Sequence, residues 1–244
     1  MRLRLLLICI FIATITWTAT AQDDDFPEDI LEDGAIEIEE VNLQIEEEFD
    51  DEDAWEFYEF TDESGSSVAQ VTDSTYQIQR DFSNSWLWAY DDTEFEDSVI
   101  RVETEQLSRD NQNWYGVMCR ADAGLEFEGY GFFISGDGHA RITIVADGDV
   151  RSLDENTDVL EEGQEDNEIL AVCAGEYLAL YVNDELVAEA EDDTFDEGVT
   201  GFAVIGFGED EGIHIAFDNL FVWEVEDFST ANSGGRSSTR PSRD

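Results

Sequence analysis

Apolar and polar residues alternate with a period of two along much of the chain, which is the pattern of half-buried β-strands. Tyr115, Val117 and Cys119 point to one side of such a strand. Met118 and Arg120 point to the other side. The clearest alternating segments are 98–104, 115–120, 130–134, 141–144, 178–182, 213–217 and 220–224. The pattern predicts about ten short strands and no substantial helix.

Turn residues separate these strands. Glycine, aspartate and asparagine interrupt the apolar runs, and Asn183-Asp184 between two such runs predicts a tight hairpin. Ile169–Cys173 and Gly201–Phe207 are apolar on both sides, so each is either covered on both faces or lines a groove. These features predict an all-β fold, a two-sheet antiparallel β-sandwich or jelly roll.

The first 21 residues have the three parts of a secretory signal peptide. Arg2 and Arg4 precede an apolar run from Leu5 to Trp17, and Ala19-Thr20-Ala21 is a small-x-small cleavage site. The run is short for a membrane span, which needs roughly 20 residues. An uncleaved N-terminal anchor is the alternative. We therefore expect a secreted or extracytoplasmic protein whose mature chain begins at Gln22, with no membrane contact beyond the cleaved signal.

Composition divides the mature chain into three parts. Residues 22–49 are dominated by acidic side chains, and we expect them to be partly disordered, especially Asp23–Asp33, with an edge strand at Ala35–Glu46. Residues 50–227 carry the alternating pattern and form the jelly-roll domain. Residues 228–244 are rich in Ser, Gly and Arg, which predicts a flexible tail.

The charge of the chain limits its partners. It has 62 acidic and 11 basic residues, and every basic residue is arginine. Such a surface repels nucleic acid and anionic membranes, which excludes both as partners. The acidity fits a solvated surface, an adaptation to high salt, or binding of divalent cations. The candidate Ca²⁺ ligands are oxygen donors at turns, namely Asp137, Asp147, Asp149 and Asp218.

Two cysteines remain after removal of the signal peptide, because Cys9 lies within it. An even pair in an oxidising compartment predicts a disulfide between Cys119 and Cys173. This bridge would close a loop of about 55 residues and contribute roughly 4 kcal/mol. Two buried free thiols are the alternative.

Five segments of the alternating region have a familiar order and spacing. They are Trp114–Arg120, Gly129–Gly138, Asn167–Cys173, Leu178–Asp184 and Ile215–Leu220. Together they resemble the concanavalin A-like jelly-roll modules of bacterial exported proteins, nearest the branch of 3-keto-disaccharide hydrolases and family-16-like glycoside-hydrolase domains. The resemblance covers roughly residues 50–224. It implies a concanavalin A-like jelly roll, but members of this group include both sugar-degrading and sugar-binding proteins.

Catalytic residues do not stand out. A retaining glycosidase needs two carboxyl groups about 5–5.5 Å apart. The nearest acidic pairs, Glu37 with Glu39 and Glu94 with Glu96, lack the Glu-x-Asp-x-x-Glu spacing of laminarinase-type enzymes. The two histidines are not accompanied by a nucleophile elbow. The sequence therefore favours a non-catalytic domain over an enzyme.

Sugar sites combine a flat aromatic ring with a few fixed polar groups. The candidate ligand-binding residues are Arg120, Tyr130, Trp88 and Trp114. If Cys119 faces the core, Arg120 faces outward, with Tyr130 on the following strand as a neighbour. The alternatives are an ion pair for Arg120 and core packing for the tryptophans.

These observations predict an exported, non-catalytic jelly-roll domain that binds a glycan, with Ca²⁺ as a candidate cofactor. Two alternatives stay open. One is a sugar-active hydrolase of the 3-keto-disaccharide hydrolase-like branch, and the other is a structural or adhesive cell-surface protein.

Overall fold

The protein is described by a computed structural model that covers residues 26–31, 34–52, 55, 57–62, 65–81, 85–124, 127–160, 166–206 and 212–230. The predicted signal peptide and residues 231–244 of the predicted tail lie outside the described residues. The last strand extends to Thr230, so it includes the first three residues of the segment that was expected to be a tail.

Two antiparallel sheets pack against each other. The nine-stranded sheet contains β1 (Ile36–Glu47), β2 (Tyr58–Asp62), β3 (Gly65–Thr72), β4 (Thr75–Arg80), β6 (Ser98–Gln106), β11 (Asp166–Ala174), β12 (Tyr177–Val182), β13 (Glu185–Glu191) and β15 (Ile213–Thr230). The six-stranded sheet contains β5 (Ser85–Phe95), β7 (Trp114–Ala121), β8 (Gly129–Ser135), β9 (His139–Ala146), β10 (Asp149–Asn156) and β14 (Gly198–Gly206). One helical turn, α1 (Glu28–Leu31), precedes β1.

The strand orders are β13-β12-β11-β6-β15-β4-β3-β2 and β10-β9-β8-β7-β14-β5. The long strand β15 pairs with β6 along one edge, and with β4 and then β1 along the other. This arrangement confirms the predicted two-sheet antiparallel β-sandwich.

The main core lies between the sheets and follows the predicted alternation. Tyr115, Val117 and Cys119 of β7 point into it. Phe202 of the six-stranded sheet stacks on Phe217 of the nine-stranded sheet, with ring centroids 4.2 Å apart. The predicted disulfide is present, and it joins Cys119 of β7 to Cys173 of β11. The bridge therefore ties the two sheets together through the core.

A second apolar cluster lies on the outer face of the nine-stranded sheet. Trp223 is fully buried there, and the ring of Phe26 meets it edge-on at 5.4 Å. Ile30 and Leu31 of α1 pack onto the same cluster. Residues 26–31 belong to the segment Asp23–Asp33 for which we expected disorder, and here the few apolar side chains of this acidic segment cover an apolar surface.

Among the described residues, no helix has both the length and the apolar character that crossing a membrane requires.

Candidate functional site

The outer face of the six-stranded sheet carries a group of large aromatic side chains. We call this surface the aromatic face, and it is formed by Trp86, Trp88, Tyr90, Trp114, Phe127, Phe133 and Arg141. The three tryptophans and Tyr90 are partly exposed. Side chains alternate along each strand, so these residues point away from the core that their neighbours fill.

Small residues in the central strands make room for these rings. The ring of Phe133 lies over Gly131, where an added Cβ atom would approach it to 2.2 Å. Trp86 lies 5.6 Å from Phe127 and 5.9 Å from Phe133, measured between ring centroids. The side-chain guanidinium of Arg80 donates a 2.6 Å hydrogen bond to the carbonyl oxygen of Trp86 and so fixes the start of β5. The aromatic face is therefore a packed and positioned platform.

Arg141 of β9 is the cation of this platform. Its guanidinium carbon lies 4.0 Å from the ring centroid of Trp114 and 6.0 Å from that of Phe133. Burial lowers the pKa of Arg141, while the nearby charge of Glu155 raises it. Stacking on an electron-rich indole face is a favourable position for a guanidinium.

The same strand carries two buried polar atoms that lack partners. Nε of Arg141 and the hydroxyl of Thr143 make no hydrogen bond with the part of the chain that the structure describes. These residues are two positions apart and therefore share the outer face of β9. Buried polar atoms are nearly always hydrogen-bonded, so a pair of exceptions on one face needs an explanation.

Carboxylates are missing from the centre of this surface. The strands β7, β8, β9 and β14 contain no Asp or Glu, although the whole chain has 62. The pair of carboxyl groups that a glycosidase requires cannot be built from these strands. The acidic pairs noted in the sequence lie elsewhere: Glu37 and Glu39 are on β1 of the other sheet, and Glu94 and Glu96 are at the end of β5.

The structure brings two of the four predicted ligand-binding residues to the aromatic face. Trp88 and Trp114 both lie there and remain partly exposed. Trp88 contacts Phe127 at a centroid distance of 6.1 Å, and Trp114 meets His139 at 6.0 Å. Their binding role stays a prediction.

Arg120 is in a different place from the one expected. Its side chain is 3% exposed and pairs with Asp97 at 2.8 Å. It also donates hydrogen bonds to the carbonyl oxygens of Glu96, Gly175 and Phe195. The expectation that Arg120 faces outward is wrong, because its backbone is left-handed (φ 46°) and the register with β14 shifts there, which interrupts the alternation of β7.

Tyr130 is also directed into the core, not toward the outer face. Its hydroxyl donates to Asp192 at 2.8 Å and accepts hydrogen bonds from the backbone amides of Thr194 and Phe195. Burial, helped by the hydrogen bond to Asp192, raises the pKa of Tyr130 to about 12. The expected neighbourhood of Arg120 and Tyr130 on one outward face is therefore wrong.

The four predicted Ca²⁺ ligands are not brought together. Asp137 lies in the turn before β9, and Asp147 and Asp149 lie at its other end. A strand of this length separates them by about 26 Å. Asp218 belongs to the other sheet, and the described residues contain no group of three or more potential metal ligands among His, Cys, Asp and Glu. The structure therefore does not bring these four candidate Ca²⁺ ligands into one site.

An acidic cavity of about 420 Å³ lies on the nine-stranded sheet. Its carboxylate lining consists of Glu103, Glu105, Asp166, Glu168 and Asp218. Burial and then the charges of Glu103, Asp50 and Glu48 raise the pKa of Asp218, while a hydrogen bond from Asn219 lowers it. This cavity thus concentrates the carboxylates that β7, β8, β9 and β14 lack.

Sequence reasoning missed Trp86, Phe127 and Arg141. The alternation of β9 already placed Arg141 opposite Ile142 and Ile144, so its outward direction could be read from the sequence. Its position over Trp114 could not, because β7 and β9 are joined only through β8, and their order in the sheet is a tertiary property.

No protein-family model matches the chain, and no curated protein sequence matches it. Several solved structures share its fold. The catalytic domain of an endo-1,3-β-glucanase (laminarinase) from Thermotoga petrophila RKU-1 has a TM-score of 0.54 at 13% identity, over 78% of this chain and 100% of that one. A β-glucanase from Bacillus licheniformis has a TM-score of 0.52 at 8% identity, over 74% and 97%.

A Bacillus subtilis protein of unknown function with a galectin-like fold has a TM-score of 0.55 at 9% identity, over 76% of this chain and 97% of that one. At such low identities the similarity establishes the fold. The chain has the same fold, a two-sheet jelly roll of the concanavalin A-like type, as the sequence segments had indicated.

Proposed function

We propose that the protein is an exported, non-catalytic domain that binds a glycan on the aromatic face. The observation that carries this proposal is the set of partly exposed tryptophans Trp86, Trp88 and Trp114 on one rigid sheet surface without acidic side chains at its centre. The carbon-bound hydrogens of a sugar ring form an apolar surface that packs on a flat aromatic ring, while its hydroxyls need a few fixed polar partners. Both kinds of group are present here.

The absence of carboxylates from β7, β8, β9 and β14 supports binding over hydrolysis. Glycoside hydrolysis requires an acid and a second carboxylate beside the scissile bond. Two of the solved structures with the same fold are glucanases by their names, which agrees with a sugar-related role for the fold. We infer that this chain uses its aromatic face for binding alone.

The predicted signal peptide and the disulfide both support a location outside the cytoplasm, where disulfides persist. The extreme acidity then helps to keep the secreted domain soluble.

The test is binding of the purified protein to a panel of soluble polysaccharides, measured by affinity electrophoresis and calorimetry. We expect Trp88→Ala and Trp114→Ala each to weaken binding about 10-fold or more, because each removes the burial of one large ring. Phe60→Ala is the matched control, since Phe60 is an exposed aromatic on β2 of the other sheet.

Failure of the wild-type protein to bind any member of the panel would contradict the proposal. Equal loss in the Phe60 variant would show that the aromatic face is not the binding surface. Release of reducing sugar from the same polysaccharides would contradict the non-catalytic assignment.

A further inference from the structure

Three of the six arginines that the structure describes pair with a carboxylate. Arg101 pairs with Glu168 at 2.8 Å, and Arg120 pairs with Asp97 at the same distance. Arg151 reaches Asp192 at 3.4 Å. Arg141 forms no ion pair with any residue that the structure describes, in a chain with more than five acidic residues for each basic one.

Glu155 is the acidic residue placed to neutralise Arg141, since it lies directly opposite on β10. It instead lies 3.9 Å from Nδ1 of His139. Its charge still acts on Arg141 over a longer distance, but no direct contact forms. The guanidinium is held by the rings of Trp114 and Phe133, so its capacity to bind a carboxylate is unused.

The unsatisfied atoms beside it are consistent with a missing partner. A guanidinium has five N–H donors and no acceptor, and a threonine hydroxyl has one donor and can rotate. Nε of Arg141 and the hydroxyl of Thr143 are both unpaired among the described residues and lie on the same face of β9. What fits such a set is a group with several acceptor oxygens, and the planar fork of arginine matches a carboxylate or a related oxyanion best.

We propose that the glycan bound on the aromatic face is anionic, and that Arg141, supported by Thr143, binds its acidic group while Trp114 and Trp88 hold the sugar rings. This inference rests on the proposed function, because it specifies the ligand of the same site. The ligand class is a saccharide that carries a carboxylate or a sulfate ester. The absence of Asp and Glu from β7, β8, β9 and β14 then serves the site, since a carboxylate on these strands would compete for the guanidinium.

The ligands that test this inference are matched pairs in which one member carries the acidic group and the other has it esterified or removed. Oligogalacturonate and its methyl ester form one pair, and a sulfated oligosaccharide and its desulfated form make the second. Titration calorimetry in 0.5 M NaCl suppresses the long-range repulsion from the acidic surface and leaves the direct contact. We expect the wild-type protein to bind the charged member of at least one pair about 10-fold or more tightly than the neutral member, as a charge-assisted hydrogen bond would provide.

The variants locate this preference. Arg141→Gln is expected to remove it, so that the variant binds both members of a pair with the same affinity, and Arg141→Lys is expected to retain part of it, because lysine keeps the charge without the fork. Arg101→Gln is the control, since Arg101 lies on β6 of the nine-stranded sheet and pairs with Glu168 there. Thermal unfolding of each variant verifies that it is folded.

The outcomes separate the two proposals. Equal binding of the charged and neutral members would overturn the anionic ligand class and leave the glycan-binding proposal intact. A preference that persists in Arg141→Gln would overturn the role of Arg141. No binding of any glycan by the wild-type protein would overturn the proposed function itself.

Discussion

On the outside of the nine-stranded sheet, Trp223 is fully buried beneath Phe26 and α1, whereas on the outside of the six-stranded sheet Trp88 and Trp114 stay partly exposed. Both faces are apolar at their centres. The chain covers the first with its own N-terminal segment, and on the second the described residues supply only the rings of the aromatic face itself. Tryptophan is therefore part of a packed, buried cluster on one sheet and part of a partly exposed surface on the other.

Tryptophan-to-alanine substitutions on the two faces test this difference most strongly. We expect Trp223→Ala to lower the free energy of unfolding by about 3–5 kcal/mol, because it leaves a cavity under Phe26 and α1. Trp88→Ala is expected to lower it by less than about 1.5 kcal/mol, because a partly exposed ring loses less burial. Chemical denaturation of both variants measures the difference. Similar losses would mean that the aromatic face is a structural core and not a presented surface.

Arginine-to-glutamine substitutions compare Arg120, whose guanidinium is buried and ion-paired, with Arg141, whose guanidinium has no ion pair among the described residues. Arg120→Gln is expected to lower the free energy of unfolding by about 3–5 kcal/mol, since it removes the ion pair with Asp97 and the donor to several backbone carbonyls. Arg141→Gln should cost about 1 kcal/mol or less, the value of one cation–π contact. Thermal and chemical unfolding of the two variants gives the comparison. A small effect at Arg120 would contradict the structural role assigned to it.

The smallest effect is expected in the acidic cavity. The raised pKa of Asp218 means that its ionised form destabilises the fold, so the stability that its protonated form provides is lost as the pH rises through that pKa. Asp218→Asn mimics the protonated form and can still accept the hydrogen bond from the amide of Asn219. We therefore expect it to raise the melting temperature at pH 7 by about 1–3 °C, corresponding to less than about 1 kcal/mol.

This gain should disappear below about pH 4, where aspartate is protonated in the unfolded chain as well. It should also shrink in 1 M NaCl, because screening weakens the repulsion from Glu103 and Glu48. A gain that is independent of both pH and salt would contradict the electrostatic explanation. Substitutions at Trp88 or Trp114 should show no comparable pH dependence.

The strands themselves could be predicted because period-two alternation is a local signal. Tyr115, Val117 and Cys119 were placed on one side and Met118 on the other, and the structure agrees. The disulfide followed from the number of cysteines and the predicted compartment. Each of these inferences needed only neighbouring residues or a count.

The predictions failed where the direction of a side chain depended on one backbone conformation, or where a contact depended on the length or order of the strands. Arg120 lies at a bulge with positive φ, so a strict alternation assigned it to the wrong face. Asp137 and Asp147 were grouped because both are donors at turns, but the length of β9 holds them apart. The contact between Arg141 and Trp114 depends on how β7, β8 and β9 are ordered in the sheet.

The long strand β15 has a consequence for how the chain folds. It lies between the group β13-β12-β11-β6 and the group β4-β3-β2, and it pairs with β1 from Ile36 opposite Thr230 to Glu47 opposite Leu220. The last strand of the sandwich is thus the one that joins the two halves of the nine-stranded sheet. Because these pairings link distant parts of the chain, we expect folding to be slow and to finish only when the C-terminal strand is available.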